Sequence, residues 1–368
     1  MNGRPVAEAL PNGSAPPADA AAATAPAVAL ARTQYGAWYP ALRRHAPKST
    51  VLDVESIEPG FVAWLESDGL FLPRGSDTAP QRHGNEDEAE AMSLPSDDDE
   101  EPEEAPEFPA LNAKLREVIE EYDGAVFPKL NWSAPLDASW IMPGNTLRCQ
   151  TPGDVYLLLK SSDFTMKDVA QVRELAAAAE GSAAPRLQLV LKKWFDMPKA
   201  HEFRCFVRHG MLVAACQRDV TFYEHLQPAE VQERIRAQLH AFFEAHLRPA
   251  PDDPLQDFAF DVYLTRQLDR CFLIDLAPWL PRTDPLLWTF DEVDEAVRSA
   301  HTHGTPERVP LRVLTSPAQA TQSQPTYSSN MIPSDVVELG SGHSVAEFAQ
   351  RWASEVAAAA HGSDEEDA

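Results

Sequence analysis

Apolar and polar residues alternate between residues 258 and 279 in a way that predicts a β-hairpin. Two runs rich in aromatic and aliphatic side chains, 258–264 and 271–279, flank a polar turn at 265–270. Pairing of Leu264 near Cys271 would set the register. In that register Asp261 lies opposite or nearly opposite Asp275, where like charges roughly 5 Å apart destabilise a sheet. A divalent cation between the carboxylates would remove this repulsion; two solvated surface aspartates are the alternative.

A second hairpin is predicted over residues 202–219, with a turn near Gly210. Alternation along its first strand places Glu202 and Arg204 on one face. Whether Arg218 joins them depends on the turn. A two-residue turn places Arg204 and Arg218 on opposite faces, whereas a three- or five-residue turn, or a bulge, brings them together. The sequence leaves these alternatives open.

The spacing of apolar residues predicts further elements along the chain. Helices are predicted at 111–122, 151–160, 167–179, 229–247 and from 344 to about 356, and strands at 49–54, 187–194 and 308–313. Lys129 stands alone among apolar and small polar neighbours between the first helix and the second. Its interpretation is open between a phosphate contact and a surface lysine.

The net charge of -26 is concentrated in two short segments of the 368-residue chain. Residues 86–107 hold twelve acidic residues and no Lys or Arg, and residues 364–367 hold four more. Setting these sixteen aside from the 57 acidic residues leaves 41 against 31 basic ones, so the folded part is only moderately acidic. No basic stripe is present, which argues against nucleic-acid binding.

Composition also divides the chain into ordered and disordered parts. We expect an Ala/Pro-rich disordered leader over 1–33, an acidic disordered linker over 74–107 and an acidic tail over 359–368. No run approaches the roughly 20 apolar residues of a membrane span, and the leader lacks the apolar core of a secretory signal. The four cysteines show no CxxC spacing, which favours reduced, mostly buried thiols of an intracellular protein.

Several short motifs occur in an order that is specific when they are taken together. They are Phe127-Pro-Lys-Leu-Asn-Trp-Ser-Ala-Pro135, Leu189-Val-Leu-Lys-Lys-Trp194, Glu202-Phe-Arg-Cys-Phe-Val207, Gln217-Arg-Asp219, Phe260-Asp-Val-Tyr263 and Leu273-Ile-Asp275. Over residues 34–356 the chain therefore resembles the cell division cycle protein 123 family, also called the D123 family. The resemblance implies an α+β, ATP-grasp fold of two lobes with mainly antiparallel sheets flanked by helices. Its N-terminal part would comprise 34–73 and 108–192, and its C-terminal lobe, with the nucleotide and Mg²⁺ site, 193–358.

The function that this resemblance implies is that of an ATP-binding assembly chaperone for eukaryotic translation initiation factor 2. Such a chaperone binds the gamma subunit of that factor and promotes formation of the heterotrimer. The resemblance thus implies a role in translation initiation and protein biosynthesis, and the family name implies a role in the cell cycle. We expect a cytoplasmic monomer without nucleic-acid or membrane partners, and a chaperone rather than a ligase. The alternatives are an ATP-grasp carboxylate ligase and a nucleotide-independent interaction scaffold with a degenerate site.

The resemblance also assigns site residues, although none is catalytic. Small-lobe contacts to ATP are expected from Lys129, Asn131, Trp132, Ser133 and Ala134, and the adenine hinge from Lys193, Trp194 and Phe195. A position in the core is the alternative for Trp194. Glu202 is expected near the ribose or a cation, Arg204 and Arg218 as phosphate clamps, and Asp261 and Asp275 as Mg²⁺ ligands.

One position departs from the family's pattern. The family has Asp-Phe-Asn-Pro after the second aspartate, whereas this chain has Asp275-Leu-Ala-Pro278. Ala277 therefore lacks the side-chain oxygen that would be the third ligand to the metal. Either water replaces that oxygen and Mg²⁺ binds more weakly, or ATP chemistry is lost. The missing oxygen, together with the absence of a Gly-rich phosphate loop, counts against the ligase.

Overall fold

Two β-sheets organise the protein. The structure is a computed structural model that describes residues 18–76, 105–178, 185–303 and 309–322. The strands are β1 (Ser49–Asp53), β2 (Val126–Lys129), β3 (Gln188–Lys193), β4 (Glu202–Arg208), β5 (Met211–Gln217), β6 (Phe258–Leu264), β7 (Cys271–Pro278) and β8 (Leu311–Arg312). The small sheet has the order β1-β3-β2 and the large sheet the order β7-β6-β4-β5-β8. All pairs are antiparallel except β5 with β8.

Helices flank both sheets. They are α1 (Ala18–Thr33), α2 (Tyr35–Leu42), α3 (Val54–Ile57), α4 (Phe61–Glu66), α5 (Pro109–Glu121), α6 (Pro152–Lys160), α7 (Asp163–Ala178), α8 (Ala229–Phe242), α9 (Phe290–His303) and α10 (Pro317–Gln322). A capping box between Thr151 and Asp154 starts α6, as these residue types predict. Helices on two mainly antiparallel sheets confirm the predicted α+β class.

Each sheet buries its own set of apolar side chains. In the small lobe, α4 to α7 pack on the small sheet through residues such as Leu111 and Leu157. In the large lobe, α8 covers one face of the sheet and α9 covers the other. Tyr35 and Trp38 of α2 pack against Val190 of β3 and also against the large-lobe core. Helix α2 therefore joins the two lobes.

The predicted disordered leader differs from the structure. Helix α1 ends only at Thr33, where Leu30 and Thr33 are buried. The carbonyl of Leu30 accepts a hydrogen bond from Trp132 Nε1 at 3.0 Å, and Arg32 pairs with Asp253 at 2.9 Å. Alanine favours the helix locally, and these contacts fix its end against both lobes. Residues 1–17 lie outside the described residues.

The predicted linker is ordered at both ends. Arg74 N donates to Pro106 O at 2.9 Å, so its two ends lie side by side. Most of the linker, the predicted helix beginning at residue 344 and the acidic tail lie outside the described residues. The last strand is only two residues long, shorter than the predicted 308–313. Among the described residues, no helix is both long and apolar enough to cross a membrane.

Candidate functional site

A one-residue bulge places the two predicted aspartates on the same face of the large sheet. Leu264 pairs with Cys271, as the register argument assumes, and Asp261 pairs with Asp275 because the register shifts between Asp261 and Val262. Ile274 is the extra residue. Without it Asp275 would point to the opposite face, since side chains alternate along a strand. The predicted opposition of the carboxylates is confirmed, and the bulge is its structural cause.

The same bulge provides a contact between the two sheets. A bulged residue leaves a backbone group outside the regular ladder, and Ile274 O accepts a hydrogen bond from Lys192 Nζ at 2.7 Å. Lys129 forms an ion pair with Asp275, the residue that follows Ile274 in β7. Both lysines lie on one face of the small sheet, because Lys129 pairs with Val190, two residues before Lys192. Both are buried.

A tyrosine ring lies against these two lysines. The ring centroid of Tyr35 is 5.2 Å from Lys129 Nζ and 4.7 Å from Lys192 Nζ. Burial lowers the pKa of Lys192 to about 7, although Asp275 acts in the opposite direction. Near neutral pH, Lys192 therefore gains or loses a proton in response to small changes in its surroundings.

Arg204 and Arg218 both bind Asp261. Arg204 donates from Nε and Nη2 to the two carboxylate oxygens at 2.7 and 2.8 Å, and Arg218 Nε donates at 3.0 Å. The turn between β4 and β5 has two residues, but the register shifts so that Val213 is an extra residue in β5. The bulge alternative is therefore the one observed, and it brings the arginines to one face.

Glu202 also interacts with these charged side chains. Together with Lys129, Lys192, Arg204, Arg218, Asp261 and Asp275 it forms what is called the charged cluster below. Arg218 Nη1 lies 3.1 Å from Glu202 Oε2, and Arg204 Nη1 donates to the carbonyl of Asp284 at 2.7 Å. Burial raises the pKa of Asp261, but Arg204 and Arg218 outweigh it and hold that pKa well below its usual value. Burial raises the pKa of Glu202, and Arg218 offsets part of the increase. Asp261 is thus a stable anion in a basic environment.

The donor set fits a metal ion only together with an anionic ligand. Among the described residues, no group of three or more His, Cys, Asp or Glu side chains is placed to hold a metal. Ala277 follows Asp275 on the same face of β7, and its partner across the strands is Ala259, so neither adds an oxygen. Two carboxylates suffice for Mg²⁺ that keeps water and phosphate ligands. Four cationic side chains surround them, which suits a polyphosphate.

The predicted residues 131–134 form a loop that is held within the small lobe. The Asn131 side chain donates to Gln34 and to Arg186 O, and accepts from Gln188 N, at 2.9–3.1 Å. Trp132 is buried and Ala134 is half-buried against the small-lobe core. The structure does not bring the side chains of Asn131 and Trp132 to the charged cluster.

Buried Asp168 fixes this loop, and sequence reasoning missed it. Its carboxylate accepts hydrogen bonds from Trp132 N, Ser133 N and Ser133 Oγ at 2.8–2.9 Å. Arg282, in the loop after β7, donates to the same carboxylate at 2.8 Å and lies over the Trp132 ring. A buried carboxylate on α7 thus connects the loop to the large lobe.

The predicted hinge residues lie apart from the charged cluster. Lys193 points to the opposite face from Lys192 and pairs with Asp123. Trp194 N donates to Ala125 O at 3.1 Å, and Phe195 is 46% exposed. Lys192, and not Lys193, lies in the charged cluster, a role that the sequence prediction did not assign to it. Strand alternation separates the two lysines, but only the position of the second sheet shows which of them faces inward.

Comparison with known proteins gives a consistent result. The D123 family model matches residues 38–340. Cell division cycle protein 123 of Aspergillus terreus is 38% identical over 268 residues, which cover 70% of this chain and 61% of that protein. A protein of Botryotinia fuckeliana named translation initiation factor eIF2 assembly protein is 33% identical over 351 residues, 86% of this chain and 85% of that protein. The solved structure of Cdc123 from Schizosaccharomyces pombe superposes with a TM-score of 0.60 at 29% identity, covering 79% of this chain and 98% of that one.

Proposed function

The chain belongs to the D123 family, and we propose that it is an ATP-binding assembly chaperone for eukaryotic translation initiation factor 2. In this proposal it binds the gamma subunit of that factor in the cytoplasm, as a monomer, and promotes formation of the heterotrimer. Relatives that are named eIF2 assembly proteins align with most of the chain, which supports the chaperone role. The observation that carries the nucleotide site is the meeting of Lys129, Lys192, Arg204 and Arg218 with two aspartates between the sheets.

Lys129, Arg204 and Arg218 would supply most of the binding energy for a triphosphate, and Lys192 would add to it when protonated. Guanidinium groups recognise phosphate oxygens with two parallel hydrogen bonds, and the lysines add point charges from the opposite sheet. Asp261 and Asp275 would hold Mg²⁺, and the bound ion would neutralise part of the phosphate charge. This arrangement, in which nucleotide lies between two lobes, is that of an ATP-grasp fold.

The remaining predicted contacts surround this centre. We assign the adenine to residues 193–195, the segment that leads from the small sheet to the large one. Glu202 is the first residue of β4 and is assigned to the ribose. Residues 131–134, fixed by Asp168, are assigned to the small-lobe side of the nucleotide.

A nucleotide-independent scaffold is the second candidate, and two observations favour it. Ala277 supplies no metal ligand, and Arg204 and Arg218 already neutralise Asp261 without a cation. In such a scaffold the ion pairs would stabilise the interface between the lobes and ATP would not bind. The carboxylate ligase is the least favoured, because it needs a complete metal site.

Equilibrium binding tests the nucleotide site. Fluorescent ATP should bind the full chain, and Mg²⁺ should tighten the binding. Arg218→Met should weaken it by about ten- to hundred-fold, because a hydrogen bond to a charged group contributes roughly 1.5–3 kcal/mol. Arg248→Met is the matched control, since Arg248 is exposed and pairs with Glu244 on its own turn. Equal affinity of both variants, or no binding by the wild type, would favour the scaffold.

Binding of the purified gamma subunit tests the chaperone role separately. A well-folded sample should bind the subunit and accelerate assembly of the heterotrimer. Failure to bind it would contradict the proposed function, whatever the result with ATP.

A further inference from the structure

Residues 43–48, between α2 and β1, separate two open clefts on the surface. The first cleft has a volume of about 520 Å³ and the second about 460 Å³. Arg44 lines both of them. The two clefts together with residues 43–48 are called the basic surface below.

Cationic side chains dominate the basic surface. Arg43, Arg44 and Lys48 line the first cleft, and Arg44 and Arg270 line the second. Glu121 is the one carboxylate among the described residues that line either cleft, and it pairs with Lys48 at 2.8 Å. The side chains of Arg43 and Arg44 are exposed and form no ion pair with a described residue. These two arginines are therefore available to a ligand.

Flat aromatic and imidazole rings line the same clefts. Tyr39 and Tyr122 lie in the first cleft, and Phe242 lies in the second. The rings of His45 and His246 stack in the second cleft with centroids 3.8 Å apart. The clefts thus combine charge with surfaces against which a side chain can pack, as protein interfaces do.

Backbone hydrogen bonds hold the basic surface to both sheets. The carbonyl of His45 accepts from Leu273 N of β7 at 2.7 Å, and the carbonyl of Lys48 accepts from Lys193 N of β3 at 2.8 Å. The segment that presents the arginines is therefore fixed before any ligand binds. Such preorganisation lowers the entropic cost of association.

We propose that the basic surface binds an acidic segment of a protein partner. The partner itself rests on the proposed function, whereas the basic surface follows from the structure. Outside its two acidic segments the chain still has 41 acidic residues against 31 basic ones, and this excess of negative charge repels acidic ligands. An acidic segment is attracted only where cations are concentrated, and the basic surface holds four with one paired carboxylate. A nucleic acid, which carries a long uniform negative charge, would extend from this short surface into the repulsive field.

A charge-reversal variant tests this proposal. Arg43→Glu/Arg44→Glu should weaken binding of a fluorescein-labelled twelve-residue Asp/Glu peptide by about ten-fold or more, and binding of the gamma subunit likewise. Arg248→Glu/Arg298→Glu is the matched control, because it makes the same change in net charge at exposed arginines that pair with a neighbouring glutamate. The control should change both affinities by less than about two-fold. An unchanged midpoint of urea unfolding shows that each variant is folded, whether or not the chain binds ATP.

The outcomes separate the surface from the function. If the wild type binds the acidic peptide but not the gamma subunit, the proposed function is wrong and the basic surface stands. If the charge-reversal variant and the control variant bind the gamma subunit with the same affinity, the basic surface is not the docking site, and the proposed function is unaffected. Tighter binding of a single-stranded RNA that displaces the peptide would overturn the proposal. So would a ten-fold gain in peptide affinity when the acidic residues of 86–107 are neutralised, because the chain itself would then be the occupant.

Discussion

Ala277 is the residue whose substitution most directly tests the metal site. It follows Asp275 on one face of β7, opposite Ala259, so an asparagine there would extend its amide oxygen beside the two carboxylates. Ala277→Asn should tighten ATP binding in the presence of Mg²⁺ by about ten-fold, because it adds a ligand of the kind Mg²⁺ prefers. Calorimetry with and without Mg²⁺ measures the effect, and the measurement without Mg²⁺ is the control. Identical affinities with Mg²⁺ would show that position 277 is not near the metal.

Lys192 gives the protein a pH dependence whose sign follows from its pKa of about 7, below the usual 10.5. Between these values the unfolded chain binds more protons than the folded one, so stability rises with pH from about 7. Below pH 7 the free energy of unfolding no longer depends on Lys192, because Lys192 is charged in both the folded and the unfolded chain. Between pH 7 and 9.5, the free energy of unfolding measured in urea should rise in the wild type relative to Lys192→Met. The increase in this difference should be at most about 1.4 kcal/mol per pH unit.

Lys193→Met is the control for this pH experiment. Lys193 neighbours Lys192 but points to the other face of β3, where it pairs with Asp123. Its removal should leave the slope of stability against pH unchanged. If the free energy of unfolding of the wild type did not rise with pH relative to that of Lys192→Met, the buried position of Lys192 would be contradicted.

At the scale of strands and helices, the local sequence pattern was sufficient to predict strand pairing where the two strands are neighbours in the sequence. The hairpin of β6 and β7 could be predicted because Leu264 and Cys271 flank a short polar turn. The face of Arg218 could not, because it depends on an extra residue, Val213. That residue packs with Trp288, distant in sequence, in the cluster beneath α9. A bulge stabilised by such distant packing leaves no local signal.

Helix α7 shows how one element fixes another. Asp168 is fully buried and accepts hydrogen bonds from Trp132, Ser133 and Arg282. Asp168→Asn should lower the free energy of unfolding by about 3 kcal/mol, because the amide loses the charge that pairs with Arg282 and replaces an acceptor with a donor. Thermal or urea unfolding measures the loss. Glu174→Gln, exposed on the same helix, should cost less than about 0.5 kcal/mol.

If Asp168→Asn unfolded with the same free energy as Glu174→Gln, Asp168 would not hold the loop. In that case the assignment of residues 131–134 to the nucleotide would lose its structural support. ATP affinity should fall in Asp168→Asn and stay unchanged in Glu174→Gln, since only the first variant disturbs the loop.

At the scale of the whole molecule, polar side chains of the described residues join the two lobes. Lys129 pairs with Asp275, Lys192 donates to Ile274 O, and Arg282 pairs with Asp168. The first two contacts converge on the bulge of β7, and the third fixes the loop that is assigned to the small-lobe side of the nucleotide. The family resemblance assigned Lys129 and Asp275 to the site, whereas Lys192, Asp168 and Arg282 were missed, because their contacts depend on how the two sheets pack.

The pair of Lys129 and Asp275 allows this connection to be measured by a double-mutant cycle. Lys129 is fully buried and Asp275 is 22% exposed, so removing one partner leaves a poorly solvated charge. Asp275→Asn should cost about 3–5 kcal/mol of stability, and Lys129→Met less, because Asp275 retains some contact with water. The double variant should lose less than the sum of the two, with a coupling energy of about 1–3 kcal/mol. The exposed pair Arg298 and Glu295 is the control and should couple by less than about 1 kcal/mol. A coupling energy for Lys129 and Asp275 as small as that of the surface pair would mean that this contact does not hold the lobes together.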